Sequence, residues 1–291
     1  MLGFGEVGQT LADDLLRHDG MTLSAWDIKF MQSGSAPSMA AKTRISRRGA
    51  SAADAVCGAE LVISAVTAAQ TLEAAQAAAA GLGAGTHFLD INSASPGQKQ
   101  QAAKAIEASG GRYVEAAMMS PIHPRRCASP ILLGGPHAPA FIGLAQELGF
   151  SSVSVFSNVI GAASAAKLCR SIIVKGLEAI ITESMLTARY YHVDETVLAS
   201  LSDFLPGPEW PKLAAYMISR SIEHGTRRAE EMREAARTVS EAGLDPLMSA
   251  ACARRQEWAP QFEPALEHAA LAALLDTMRE QMGEPLKRRS S

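Results

Sequence analysis

From Met21 to Phe156 short β-like runs alternate with Ala-rich stretches, and after Ser157 the β signal stops. Strand and helix in alternation is the pattern of a parallel sheet with crossover helices, whereas an unbroken series of helical patterns must pack helix on helix. The chain is therefore expected to form an α/β domain with a mostly parallel sheet over residues 1–157, followed by an all-α domain over residues 158–291. With 291 residues, 47% of them hydrophobic, it can bury two cores. Strands are expected near 22–26, 61–66, 86–91, 113–116, 131–133 and 152–155, with helices near 8–18, 71–80, 96–109 and 139–148. The helical half is expected to run through 162–190, 193–201, 211–239, 246–256 and 263–281.

Gly3-Phe4-Gly5-Glu6-Val7-Gly8 has the spacing G-x-G-x-x-G. The first glycine permits a tight turn, the second lets a pyrophosphate approach the backbone, and the third allows close packing of helix on strand. A helix pattern follows at once and then a strand that Asp27 closes, which makes this a Rossmann dinucleotide fingerprint. A carboxylate at Asp27 accepts from both ribose hydroxyls and repels a 2′-phosphate, so NAD is favoured. NADP stays possible, because Lys29 and the cluster Arg44, Arg47 and Arg48 would pair with a phosphate if they fold back toward the ribose. Only Met1 and Leu2 precede the turn, so either its leading strand is very short or the natural chain begins upstream.

Val66-Thr67 and Asp90-Ile91-Asn92-Ser93-Ala94-Ser95-Pro96 fall at the carboxyl ends of two strands, where an open α/β sheet binds its ligand. Asn92 and Ser93 are expected to offer neutral donors and acceptors beside the nicotinamide, with Ser93 also a substrate contact. The same residues also read as a helix cap, with Ser95 or Ser93 capping and Pro96 at the first helical position.

In the helical half, small residues at 161–166 allow close packing, and Lys167, Ser171, Lys175 and Glu178 share one face of a helix. Hydride chemistry requires a proton to be exchanged at the reacting centre, and a lysine at a dry cleft can do this. The competing reading is a solvated face with a Lys175–Glu178 pair.

These features together resemble the β-hydroxyacid dehydrogenase superfamily, which includes 6-phosphogluconate dehydrogenase, hydroxyisobutyrate dehydrogenase and imine reductases. The resemblance runs through the glycine turn, the Asp90 to Pro96 segment, the Val114-Glu115-Ala116-Ala117 strand end and the Gly161 to Lys167 segment. The stretch from Lys167 to Glu178, and His224 to Met232, are similar to the branch whose carboxyl domain is phosphogluconate-dehydrogenase-like and of unknown function. The resemblance implies that Lys167 is the general acid/base, that Ser93, Ser120, Ser171 and Lys175 face substrate, and that two helical domains pack into a homodimer. It also exposes departures. Met119-Ser120-Pro121 stands where the family's Ser-Gly-Gly turn holds a substrate carboxylate, and proline removes one donor. Ser171 replaces an asparagine, and Asn92 a serine. His123, Arg125 and Arg126 are candidate anion contacts, and His224, Arg227 and Arg228 form either an anion clamp or an ion network with Glu230 and Glu231.

The expected activity is NAD(P)-dependent oxidation of a small β-hydroxy acid. Reduction of an imine or ketone is the alternative, suggested by the altered turn and by Met118 and Met119, and a non-catalytic dinucleotide-binding regulator is a third reading. Glu183 is a distant candidate for the proton donor that a following decarboxylation would need. A net charge of −3 argues against nucleic acid, despite the basic tail at Lys287, Arg288 and Arg289. No apolar run spans a bilayer and no signal-peptide pattern opens the chain, so a cytoplasmic enzyme without membrane contact is expected. The four cysteines, Cys57, Cys127, Cys169 and Cys252, show neither pairing nor metal-ligand spacing, so no disulfide and no metal are expected.

Overall fold

The computed structural model describes residues 1–283, so the basic tail lies outside the described residues. The chain divides into two compact units, Met1–Leu168 and the segment from Cys169 onward, each with its own core.

In the first unit β1 (Ser24–Ala25) and β2 (Arg47–Arg48) pair in parallel. The main sheet follows in the order β3 (Leu61–Ser64), β4 (His87–Asp90), β5 (Arg112–Met118), β6 (Ile131–Gly134) and β7 (Val153–Ser157). All neighbours are parallel except β5 and β6. Leu2 bridges in parallel to both Trp26 and Ser64, so the residue before the glycine turn sits between the two sheets, where the leading strand is expected.

Successive residues of the strands point to opposite faces. Ile63, Leu89 and Val114 enter one core with Phe4, Leu11 and Phe141, while Val62, Phe88 and Tyr113 enter another with Ala75, Ala102 and Ile106. Burial on both faces explains why these strands read as continuous apolar runs. The helices are α1 (Glu6–Leu15), α2 (Ala36–Arg44), α3 (Ala52–Val56), α4 (Thr71–Ala79), α5 (Pro96–Ala108) and α6 (Ala138–Glu147). Neither α2 nor α3 nor β2 was expected, because each is short and lacks an apolar period. Serines mark both helices instead: Ser35 Oγ accepts from Ser38 N, and Ser51 Oγ from Asp54 N.

The second unit holds most of α7 (Ala162–Tyr190), then α8 (Asp194–Phe204), α9 (Trp210–Glu241), α10 (Leu247–Trp258) and α11 (Leu271–Gln281). Its core gathers Met185, Leu186, Ala214, Ile218, Phe262, Leu274 and Met278. The helix expected over 263–281 is interrupted. Pro264 lies in a 3-10 segment, Ala259–Glu267, and the α-helix resumes only at Leu271, as expected of a ring that lacks an N–H and crowds the preceding turn.

Candidate active site

The glycine turn is built as its spacing demands. Gly3 has φ +80°, and a Cβ there would stand 2.4 Å from Ala65 O. A Cβ on Gly8 would stand 2.2 Å from Gly3 O, whereas one on Gly5 would meet nothing within 4 Å. Gly5 thus leaves open space at the start of α1, where the helix dipole favours a pyrophosphate. Glu6 is exposed and Val7 half-buried there. Asp27 lies alongside: its Oδ2 accepts from Phe4 N at 2.7 Å and its Oδ1 from Lys29 N at 2.8 Å. Val66 is half-buried and Thr67 exposed at the neighbouring strand end. These residues could hold a dinucleotide: Gly5 leaves room at the helix start for phosphates, and Asp27 would offer its carboxylate to a ribose. The basic cluster is engaged elsewhere. Arg44 contacts Gln9 and Asp13, Arg47 pairs with Asp54, and the Arg48 guanidinium lies 4.6 Å from the Phe30 ring centroid.

The Asp90–Ser95 segment is held from below by a buried network. Lys99 Nζ donates to Asp90 Oδ1 at 2.8 Å and to Asp90 O at 3.0 Å, and Tyr113 OH donates to Asp90 Oδ2 at 2.6 Å. Burial, with the Asp90 charge beside it, holds the Tyr113 hydroxyl well above its ordinary pKa. Asn92 N donates to Asp90 Oδ1, Asn92 Oδ1 accepts from Val66 N at 2.7 Å, and Asn92 Nδ2 donates to Ser64 Oγ at 3.0 Å. The Asn92 side chain therefore ties two strand ends together. Ser95 is the helix cap, which leaves Ser93 available: Lys167 Nζ donates to Ser93 Oγ at 2.6 Å. Two residues 74 positions apart in sequence meet at the strand ends of the sheet.

In the second unit the polar stripe of α7 is buried. Ser171, Lys175 and Glu178 are 8%, 7% and 3% exposed. Lys175 pairs with Glu231 and Glu178 with Arg228, both across to α9, so neither the Lys175–Glu178 pair nor a solvated face occurs. Gln256 Nε2 on α10 donates to Glu178 Oε2 at 3.3 Å. Burial lowers the Lys175 pKa, against the opposing pull of Glu231. Arg227 lies 4.0 Å from Glu231 and His224 3.3 Å from Glu223, which places this segment in an ion network. Glu183 is exposed and pairs with Arg255.

Residues 1–136 match the family described as the NAD binding domain of 6-phosphogluconate dehydrogenase, and residues 188–259 match a domain of unknown function, DUF1932. The solved structure of a conserved hypothetical protein from Sinorhizobium meliloti 1021 is 31% identical, with 96% of this chain and 95% of that chain covered and a TM-score of 0.76. A conserved protein of unknown function, described as structurally similar to 3-hydroxyacid dehydrogenases, is 30% identical, with 88% of this chain and 94% of that chain covered and a TM-score of 0.67. This chain belongs to the 3-hydroxyacid dehydrogenase-like family. More distant folds of the same kind include a Mycobacterium tuberculosis 3-hydroxyisobutyrate dehydrogenase solved with L-serine, at 17% identity over 96% of this chain and 97% of that chain with a TM-score of 0.69. An Aspergillus terreus reductive aminase and a Streptomyces aurantiacus imine reductase share the fold at 19% and 17% identity, each with a TM-score of 0.53.

The departure of this family member from the Ser-Gly-Gly turn has a visible structure. Met119 N donates to Pro130 O at 2.8 Å, Ser120 Oγ donates to Pro121 O at 3.1 Å, and Pro121 has no N–H. Arg126, read from sequence as an anion contact, is bound instead to Asp14 on α1, with Nε at 2.9 Å from Oδ1, and His123 Nε2 lies 3.2 Å from Thr10 Oγ1. Burial opposes ionisation of Asp14, but hydrogen bonds from Arg126 and Cys127 hold its carboxyl below the ordinary range. Arg125 is exposed. Lys99, Tyr113 and Glu115 hold the segments of the site, and no motif in the sequence assigns them that role. For Glu115 the signal was present, since a carboxylate interrupts the otherwise apolar run Tyr113 to Met118.

Proposed function

We propose that this chain is an NAD(P)-dependent dehydrogenase of a small β-hydroxy acid in which Lys167 is the general acid/base. The observation that carries the reading is the 2.6 Å contact between Lys167 Nζ and Ser93 Oγ, at the strand ends of a domain built to hold a dinucleotide. A bound nicotinamide supplies the hydride acceptor. Lys167 takes the proton from the substrate hydroxyl as the carbinol carbon is oxidised, and returns it in the reverse direction. Ser93 holds the amino group and offers its hydroxyl to the same substrate oxygen. Asp27 favours NAD over NADP by accepting from the ribose hydroxyls. Ser120 is the further substrate contact of this reading within the first unit. Replacing Lys167 with methionine is expected to leave coenzyme binding nearly intact and to lower turnover by roughly 10²–10⁴-fold. Unchanged turnover in that variant rejects the assignment.

The loop after β5 supports a second reading, reduction of an imine or ketone. With Met119 N given to Pro130 O and no N–H on Pro121, fewer backbone donors remain there for a carboxylate. A substrate panel separates the two, because activity confined to imines or ketones lacking a carboxylate rejects the hydroxy acid.

The homodimer belongs to the same proposal. Ile173, Leu177 and Ile180 are exposed along α7, beside a groove of about 850 Å³ lined by Ile180, Tyr191, Met248 and Trp258, which suits a second copy of the helical unit. Sedimentation at a monomer mass in the micromolar range rejects it. No helix among the described residues is long and apolar enough to cross a membrane, and with four free thiols the reading is completed by a cytoplasmic location.

A further inference from the structure

The helix that carries Lys167 begins against a carboxylate. Glu115, on β5, is fully buried, and each of its oxygens takes a backbone N–H from the start of α7: Gly161 N donates to Oε2 and Ser164 N to Oε1, both at 2.7 Å. The first N–H groups of a helix have no partner within it and carry the positive end of its dipole. An anion that accepts from two of them fixes the rotation as well as the position of the first turn. Lys167 lies three residues beyond Ser164, so a rotation of that turn moves Nζ relative to Ser93 Oγ.

A helix start usually receives its acceptor from a Ser, Thr, Asn or Asp on its own chain at the cap. Here the residue before the helix is Gly161, at φ +100°, and a Cβ on it would stand 3.0 Å from Pro96 Cβ. The acceptor comes instead from a neighbouring strand. The carboxylate has little freedom of its own, since a Cβ on Gly134 would stand 2.5 Å from Glu115 Oε2.

We propose that Glu115 is a positioning residue that sets the Lys167 amino group against Ser93 through its two hydrogen bonds to the start of α7. The catalytic meaning rests on reading Lys167 as the acid/base, but the test does not need turnover. Reductive methylation with ¹³C-formaldehyde places an NMR label on the lysine amines, and a Lys167→Arg sample assigns the Lys167 signal. Glu115→Gln keeps the side-chain size but turns one acceptor into a donor facing a backbone N–H, and it is expected to move that signal. Glu115→Asp keeps the anion and moves the signal less. Gly134→Ala presses on Oε2 without altering Glu115 and also moves the signal, and it decides alone if the Gln variant does not fold. Signals from the exposed Lys42 and Lys212 stay in place.

Once a substrate is in hand, Glu115→Gln is expected to lower turnover by up to about 10²-fold, as for a misplacement near 1 Å, with coenzyme KM unchanged and partial rescue by Glu115→Asp. A Lys167 signal that stays put in folded Glu115→Gln, or in Gly134→Ala when the Gln variant does not fold, overturns the proposal even if melting temperature falls. Full turnover in Lys167→Met would reject the acid/base reading alone, and a moved signal would still establish the positioning.

Discussion

Asp90 and Glu115 are register partners on adjacent parallel strands, and both are fully buried. Asp90 is matched by Lys99 and Tyr113 and supports the segment bearing Ser93, while Glu115 is matched by backbone N–H groups at the start of the helix bearing Lys167. Two neighbouring carboxylates thus hold the two segments that meet in the Lys167–Ser93 contact.

Removing one member of the buried pair leaves the other charge uncompensated. Lys99→Met is expected to cost about 3–5 kcal/mol of stability, read as a lowered denaturation midpoint. The double variant Asp90→Asn/Lys99→Met should recover a good part of that loss. A single variant as stable as the parent would contradict the pairing.

Much of this arrangement could be read from residues alone, and the unread part has a physical pattern. The strands β3, β4 and β5 announce themselves because both faces are buried, and α7 is bounded by Gly161 and the Tyr190-Tyr191-His192 end of its apolar run. The glycine turn carries its own geometry. What sequence does not carry is the partner of a buried polar group. Lys175 has Glu178 on its own face, yet it pairs with Glu231 on another helix, and Arg126 looks like an anion contact until Asp14 meets it. Such pairs are decided by tertiary packing, which brings together side chains far apart in the chain.

The pH dependence of the helical unit should carry the mark of Lys175. Burial holds its folded pKa below the ordinary 10.5, with Glu231 opposing. The unfolded chain therefore binds more protons between the folded value and 10.5, and stability rises with pH across that window. Thermal melts from neutral pH toward 10.5 should show this gain in the parent and a smaller one in Lys175→Met. Equal slopes would count against a depressed Lys175.

The thiols should divide into two classes. Cys57 and Cys169 are exposed, while Cys127 and Cys252 are buried, and burial pushes their thiols up to about 12 and about 11. Reaction of the native protein with an aromatic disulfide reagent near neutral pH is expected to be fast at two sites and slow at two until denaturant is added. Peptide mapping that finds Cys252 among the fast sites would refute the packing described for α7 and α10.

Replacement of Asp27 by alanine should have two effects at once. NAD binding weakens, and the loss of the acceptor for Phe4 N and Lys29 N costs about 0.5–2 kcal/mol of stability, as for a lost cap. Calorimetric titration and melting of the same sample check both, and a loss of binding with unchanged melting would show that Asp27 serves the coenzyme alone.

If Asp27 also accepts from the ribose, as proposed above, its two tasks bear on how coenzyme preference can change within a lineage. On that reading, a mutation that removes the carboxylate to admit a 2′-phosphate would also take the acceptor from Phe4 N and Lys29 N in the glycine turn, and its expected first effect is a loss of affinity for either coenzyme. The more accessible route keeps the acid and recruits a cation at the exposed positions beside it, Ile28 and Lys29. Position 27 is then slow to drift, and divergence in coenzyme use should be sought in its neighbours.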